Sequence, residues 1–303
     1  MLKFKEKKKA EGAAAEENEG DDTLRASTWK HLCHSLSRNP AAMAGIIAIC
    51  AILIASFLQP FFGQDYAAVN IRLRCALPSK EHLFGCDDLG RDILARVLYG
   101  ARYTLFMGVA AVALAAISGI FLGAVAGYFG GTADTIIMRV LDVLQAFPQM
   151  LLALVVASVL GTGILNTILA LGITTIPSFA RMMRANILTI RSNEYIEAAV
   201  SINCRTPRII LKHALPNAIS PIIVQISMSV ANQGLHVSSL SFVGLGIQAP
   251  LPEWGSMLAT ARGYIRDYPH MMLFPGLFIM ITVLSFNLIG DGVRDALDPK
   301  MKD

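Results

Sequence analysis

Six long apolar runs punctuate this sequence, near residues 41–58, 104–127, 134–160, 163–182, 218–238 and 271–290. Each approaches the roughly 20 apolar residues needed to cross a hydrocarbon core of about 30 Å. Lipid offers backbone amides no hydrogen-bond partner, so such runs can cross a bilayer only as helices or as strands of a closed barrel. Predominantly apolar stretches of this length point to helices. Charged residues make up only 16% of the 303, against roughly 25% in a soluble domain, so bulk water is the wrong solvent for the chain. The expectation is an all-α membrane protein with six transmembrane helices.

Basic flanking residues give an orientation, because they are retained on the cytoplasmic side. The lysine-rich start (Lys3, Lys5, Lys7, Lys8, Lys9), the segment from Arg181 through Lys212 and the tail from Arg294 to Lys302 fall on one side of a six-helix count. Both termini are therefore expected in the cytoplasm. One loop opposes this: residues 59–102, assigned outside, carry Arg72, Arg74, Lys80, Arg91, Arg96 and Arg102, partly neutralised by Asp65, Glu81, Asp87, Asp88 and Asp92. The resulting organisation is a disordered cytoplasmic tail (1–29), a first transmembrane helix (30–60) and an extracytoplasmic loop with an amphipathic helix (61–102). A five-helix core (103–291) follows, containing a cytoplasmic loop (183–217), and then a C-terminal tail (292–303). Residues 10–22, rich in Ala, Glu, Asp and Gly, are too polar to offset ordering entropy. The polar stretch after the lysines does not read as a signal peptide.

Several chemistries are excluded. No phosphate-binding GxxxxGK[ST] loop, HExxH or GxSxG occurs, so no catalytic site is expected and nucleotide must be handled elsewhere. The net charge of +4 lies in short segments beside spans, which does not suit nucleic-acid binding. Cys33, Cys50, Cys75, Cys86 and Cys204 form no CxxC pair, so no metal site is indicated. Cys75 and Cys86 share the outward loop, where a disulfide is chemically permitted.

The most informative segment is EYIEAAVSINCRTPRIILKHALPN, residues 194–217, a charged amphipathic insertion between two spans. Glu197, Ala198 and Ala199, then Pro207, then Leu215, Pro216 and Asn217, predict two short helices interrupted at Asn203 and ended by Pro216. This resembles the EAA loop of bacterial ABC importer permeases, which forms a coupling helix seated on the ATPase subunit. The small side chains of Ala198 and Ala199 would permit close approach, and Glu197 offers a charged contact or a capping carboxylate. Asn203 stands at the family's glycine position, and asparagine is the residue that, with Asp, best tolerates a left-handed backbone.

The resemblance extends over nearly the whole chain through residues 82–102, 126–148, 239–258 and 274–300. It narrows to the C-type permeases of the peptide and nickel group. Cys86 stands where threonine is usual, and Val237 where many members have an acidic residue. The resemblance implies a type I ABC importer permease fold in the bacterial cytoplasmic membrane. It also implies a homologous second permease, two ATP-binding cassette ATPases and an extracytoplasmic binding protein as partners, besides membrane lipid. ATP and Mg would be used by the ATPases, with no cofactor bound by this chain. Small peptides are the expected cargo, with nickel chelates or glutathione as alternatives on the same machinery. An ion-coupled secondary transporter is disfavoured because no internal repeat is visible.

Polar residues within spans are costly in hydrocarbon and usually face a bundle interior. Arg139 and Asp142 are spaced i, i+3 and can pair, with Gln145 and Pro148 following. Arg139, Asp142 and Gln145, together with Gln225, Asn232, Gln233 and His236 in the fifth span and Asn287 in the sixth, are the candidates for a translocation pathway. Gly108, Gly119, Gly123 and Gly127 on the second span read as close helix packing. Leu89 to Leu98 read as a short amphipathic helix exposing Arg91 and Arg96. Glu253 and Trp254 are expected at the outer surface.

Overall fold

The computed structural model describes residues 34–62 and 65–297. The expected disorder of residues 10–22 and most of the two tails therefore lie outside the described residues. Among the described residues nine principal helices follow one another: α1 (Pro40–Leu58), α2 (Ile93–Phe129), α3 (Gly131–Gln145), α4 (Gln149–Leu160), α5 (Ile164–Arg191), α6 (Glu194–Ser201), α7 (Leu215–Phe242), α8 (Trp254–Ala261) and α9 (His270–Leu297). Among the described residues the only extended pairing is an isolated bridge between Cys86 and Asp92.

Local chemistry sets several helix starts. Asn39 accepts hydrogen bonds from the amides of Ala41 (3.0 Å) and Ala42 (3.2 Å), with Pro40 in the first turn. Asp92 does the same for α2 through Ala95 N at 2.7 Å. Among the described residues five helical segments are long and apolar enough to span a membrane, the fourth running without a break from Thr206 to Phe242. The third expected span is not one straight helix. It breaks between Gln145 and Gln149, where α3 and α4 meet at 88°, so a sixth span exists only if the bent pair is counted as one. Proline explains the break: Pro148 has no N–H to donate, and its ring drives Phe147 away from helical backbone.

The loop before α2 also departs from expectation. No separate amphipathic helix forms; Ile93 to Leu98 are the first turns of the 37-residue α2. Arg91 and Arg96 are buried rather than exposed, at 7% and 4% accessibility. Asp87 collects both, at 2.7 Å from Arg91 Nε and 3.4 Å from Arg96 Nε, while His82 Nδ1 lies 2.9 Å from Asp92. Much of the positive charge that made this loop anomalous is thus neutralised within the loop itself. Cys75 and Cys86 are both free and buried. Burial, then the carboxylates of Asp92 and Asp87, pushes the Cys86 thiol up to about 11, so it is a protonated, sheltered group and a poor labelling handle.

Glu253 and Trp254 are fully buried, not at the surface. Glu253 caps α8 by accepting from Ser256 N at 3.0 Å, and its other carboxylate oxygen accepts from Thr104 of α2 and Ser238 of α7, both at 3.1 Å. Trp254 donates its indole N–H to Val97 O at 2.8 Å. The two residues fasten α8 between α2 and α7. A buried carboxylate needs such a set of donors, and that need is invisible in a single sequence.

The centre of the bundle is the α2–α5 pair. Gly119, Gly123 and Gly127 lie directly against α5: a Cβ at Gly119 would stand 2.5 Å from Phe179 Cβ, one at Gly123 would run into Ala180 O, and one at Gly127 would stand 2.9 Å from Arg184 O. With no hydrophobic driving force between helices in lipid, such close backbone approach supplies the packing. Val112, Ala115, Ala116, Phe179, Met183 and Ile187 form the core there, continuous with Ile196, Ala199 and Ile209 beyond the end of α5.

Candidate functional site

The segment joining α5 to α7 is built on that core. In α6, Ile196 and Ala199 are spaced i, i+3 and face inward, at 2% and 8% accessibility, while Glu197 and Ala198 are exposed. Ala199 is therefore a packing residue and Ala198 a surface residue, although the sequence presents them as equivalent neighbours. Around them an apolar surface stays uncovered, including Tyr195 (43%), Val200 (54%), Ile202 (80%) and Leu211 (63%). Glu194, Arg205 and Lys212 are exposed on the same connection.

The turn after α6 depends on Asn203, whose φ is +55°. Its amide bonds to Val200 O at 2.9 Å, and that of Cys204 reaches Ala199 O at 3.1 Å. These are the two bonds of a Schellman ending with the left-handed residue at C′. Cys204 completes it by packing on the core that includes Ala199. Asparagine thus does the work of glycine, as its preference for this conformation suggests. Replacing Asn203 with Gly should preserve the turn. Replacing it with Val should cost about 1–2 kcal/mol of local stability, seen as faster hydrogen exchange at the Asn203 and Cys204 amides.

Beyond the turn, Thr206–Arg208 start a helix that widens into a π-helical stretch over Ile209–Ala214 and continues into α7. Leu215 and Pro216 do not end a helix, as expected from sequence; they begin α7, and both are half-buried. A proline is tolerated in a first turn, and the preceding wide turn lets Leu215 N reach Ile210 O instead of the usual fourth-residue carbonyl. Asn217 Nδ2 donates to His213 O at 2.7 Å, and Asn186 Nδ2 of α5 donates to Ala218 O at 3.1 Å, tying α7 to α5.

The candidate pathway residues do not converge. Arg139, Asp142 and Gln145 are exposed on α3, and the expected Arg139–Asp142 pair is absent. Asp142 instead accepts from Arg181 of α5 at 2.6 Å, and Asp134 takes Arg184 in a bidentate pair at 2.5 and 2.6 Å. The Arg184–Asp134 fork of parallel N–H bonds and the single Arg181–Asp142 bond hold the detached half-span α3 against α5. On α7, Asn232 is exposed, and Gln225 and His236 are half-buried, on one side of the helix; Gln233, turned about 100° from Asn232, is 1% exposed. Asn287 is exposed on α9.

Gln233 belongs to a polar knot. Its amide and that of Gln149 both donate to Thr175 Oγ1, at 2.6 and 2.9 Å, and Thr175 donates in turn to Leu171 O at 2.7 Å. The knot joins α4, just after the break, to α5 and α7. Gln149, Thr175, Asp134, Arg181 and Arg184 were not singled out from sequence. Only their polarity beside an apolar span could have flagged them, and their partners lie far away along the chain.

Against this geometry, comparison with known proteins is informative. Residues 119–303 match the family described as binding-protein-dependent transport system inner membrane component, and residues 27–78 match the N-terminal TM domain of oligopeptide transport permease C. A dipeptide transport system permease protein DppC of Alkalihalophilus pseudofirmus is 44% identical over 93% of each chain. The glutathione transport system permease protein GsiD of Pectobacterium atrosepticum is also 44% identical, over 93% of this chain and 94% of its own. The oligopeptide transport system permease protein OppC of Bacillus subtilis is 39% identical over 91% of each. Among solved structures, an inward-facing MetNI methionine ABC transporter superposes with a TM-score of 0.55 at 18% identity, covering 66% of this chain and 96% of that one, which supports the fold. With a helical membrane bundle and a family match over most of its length, this chain belongs to the binding-protein-dependent inner membrane components, the permease subunits of ABC importers.

Proposed function

We propose that the chain carries small peptides across the cytoplasmic membrane, and that the exposed face of α6 is where a separate ATPase grips it. The observation that carries the second part is the two-sidedness of α6. Ile196 and Ala199 are clamped into the core that runs up α2 and α5, while Glu197, Ala198, Val200 and Ile202 remain uncovered. An apolar patch rimmed by charge at one end of a membrane bundle is the kind of surface a protein partner covers. A push on α6 is transmitted to α5 through packed side chains and reaches α2 through its glycine contacts. The partners of this reading are a homologous second permease, two ATPases that use ATP and Mg, and an extracytoplasmic binding protein. Both termini and α6 lie in the cytoplasm.

On this reading Glu197, Ala198, Ala199, Asn203, Leu215 and Pro216 form the coupling element. Ala199 and Asn203 shape it, and Glu197 and Ala198 touch the partner. Substrate passes between the two permeases, and the polar groups that line its route include Gln225, Asn232 and His236 on α7. Glutathione is the second reading, favoured by the 44% identity to a permease named for it. Both cargoes are tested by uptake of radiolabelled dialanine and of labelled glutathione into cells carrying the complete operon. Peptide uptake should vanish when the partner ATPase is deleted and should survive collapse of the proton gradient. Uptake that needs the gradient and not the ATPase would refute the importer mechanism. ATPase-dependent uptake of glutathione alone would replace the peptide assignment.

A further inference from the structure

At the end of the bundle remote from α6, Arg102 stands on α2 in an unusual setting. It is about 13 Å along the helix axis from Ile93, where the apolar run begins, and half-buried. Its Nε donates to Ser56 Oγ of α1 at 3.2 Å and its Nη2 to Ser56 O. The guanidinium carbon lies 4.7 Å from the ring centre of Tyr99 and 5.1 Å from that of Phe57. Three other arginines at this end have acidic or phenolic partners: Arg91 and Arg96 share Asp87, and Arg74 bonds to Tyr264. Among the described residues Arg102 has no carboxylate within 4.0 Å, and its Nη1 has no acceptor.

Directly below it is a crevice of about 570 Å³ between α1, α2, α5 and α9. Ile49, Leu53 and Phe57 form one wall, and Phe106 and Val109 the opposite one, with Phe286 among the remaining lining residues. Arg102 is the one charged residue in the lining. Along α1 the slot extends from Phe57 to Ile49, about 12 Å at the rise of a helix. Phe57 and Phe106 are 64% and 61% exposed, so the mouth opens on the outside of the bundle. Tyr66 stacks on Tyr99 at 3.8 Å, and Tyr103 lies 5.9 Å from Tyr99, an aromatic cluster of the kind found at headgroup level.

We propose that this crevice binds one anionic glycerophospholipid, with its phosphate on Arg102 and one acyl chain in the slot. The arrangement repeats the anatomy of the ligand: one cation without a carboxylate partner at the head of the crevice, then an apolar channel along the helices. Ser56 and the two rings hold the guanidinium plane and leave Nη1 for a phosphate oxygen, the acceptor that arginine matches best. A charge in this position is expected to have a partner. Bound there, the lipid staples α1 to the core, because its walls come from α1 on one side and α2, α5 and α9 on the other. The inference needs only the membrane fold and is independent of cargo.

The test uses the permease co-purified with its partner subunits in detergent, supplied with dioleoyl-phosphatidylglycerol and read by native mass spectrometry. Wild type should retain one more lipid per chain than Arg102→Gln, and dioleoyl-phosphatidylcholine should be held at least fivefold more weakly. Val109→Trp, which fills the slot and leaves the arginine in place, should lose the lipid as well, and it carries the test if Arg102→Gln fails to assemble. Glycerol phosphate, the headgroup without tails, should not displace the lipid. Equal retention by wild type and Val109→Trp would overturn the proposal. So would displacement by glycerol phosphate, or efficient cross-linking of Phe106→Cys to the second permease, which would show that protein fills the crevice.

Discussion

Replacing Ala198 with Trp should abolish ATP-driven uptake and leave the permease folded in the membrane. Ala198 is exposed on α6, so the indole meets no neighbour within the chain, and a surface change of this kind alters stability by only about 0.5 kcal/mol. Against a closely seated ATPase the same side chain stands in occupied space. A clash of about 3 kcal/mol would lower affinity by roughly two orders of magnitude, enough to lose the ATPases during purification. Ala199→Trp is the informative contrast. Ala199 is 8% exposed and belongs to the core, so this variant should lower folding yield as well as uptake. The measurements are co-purification stoichiometry, labelled-peptide uptake and melting of the isolated permease. Normal ATPase recovery and uptake with Ala198→Trp would place the docking face elsewhere.

That contrast shows where sequence reading stopped. The alanine pair was legible as a motif, but its division into one packed and one exposed residue follows from the rotation of α6 against Ile209 and Ile187, which no local pattern encodes. Asn203 was legible because its role is local: a left-handed residue closing a helix needs only its own backbone preference. That the apolar runs are helices was legible because lipid leaves the backbone no alternative, but the break in the third run and the extension of the second back to Ile93 and of the fifth back to Thr206 were not. Pro148 and Pro216 were visible yet ambiguous. The first breaks a span because it follows α3 within three residues, and the second is harmless because a wide turn precedes it.

Charged residues were harder to place. Arg139 and Asp142 looked like a pair at helical spacing, but Asp142 turns to Arg181, 39 residues away. Arg91, Arg96 and Glu253 looked like surface groups because charge usually is. Burial of an ion depends on whether the fold gathers enough partners, and those partners arrive from separate elements: Asp87 for the two arginines, and Thr104, Ser238 and Ser256 for Glu253. Arg102 was counted merely as one more basic residue in the loop before α2. Its significance comes from the apolar slot beneath it, assembled from four helices.

The glycine contacts of α2 lead to the second large effect. Gly123→Val should destabilise the permease by about 3 kcal/mol, the upper end of what over-packing ordinarily costs. The added Cβ runs into Ala180 O and would stand 2.8 Å from Met183 Cβ and 3.0 Å from Arg184 N. Backbone atoms cannot swing aside as a flexible side chain can, so α2 and α5 must separate along their common length. Separation also moves the C-terminal end of α5, where Arg184 holds Asp134 and where the chain enters α6. Uptake should therefore fall further than the loss of folded protein explains. Gly276→Ala on α9 is the matched control, since a Cβ there meets nothing within 4 Å, and it should change stability by no more than about 0.5 kcal/mol. Thermal melting of purified protein and uptake per folded molecule separate the two consequences. If Gly123→Val melts earlier but transports normally per folded chain, the glycine contacts serve stability alone and movement of α6 must reach the bundle through α7 instead.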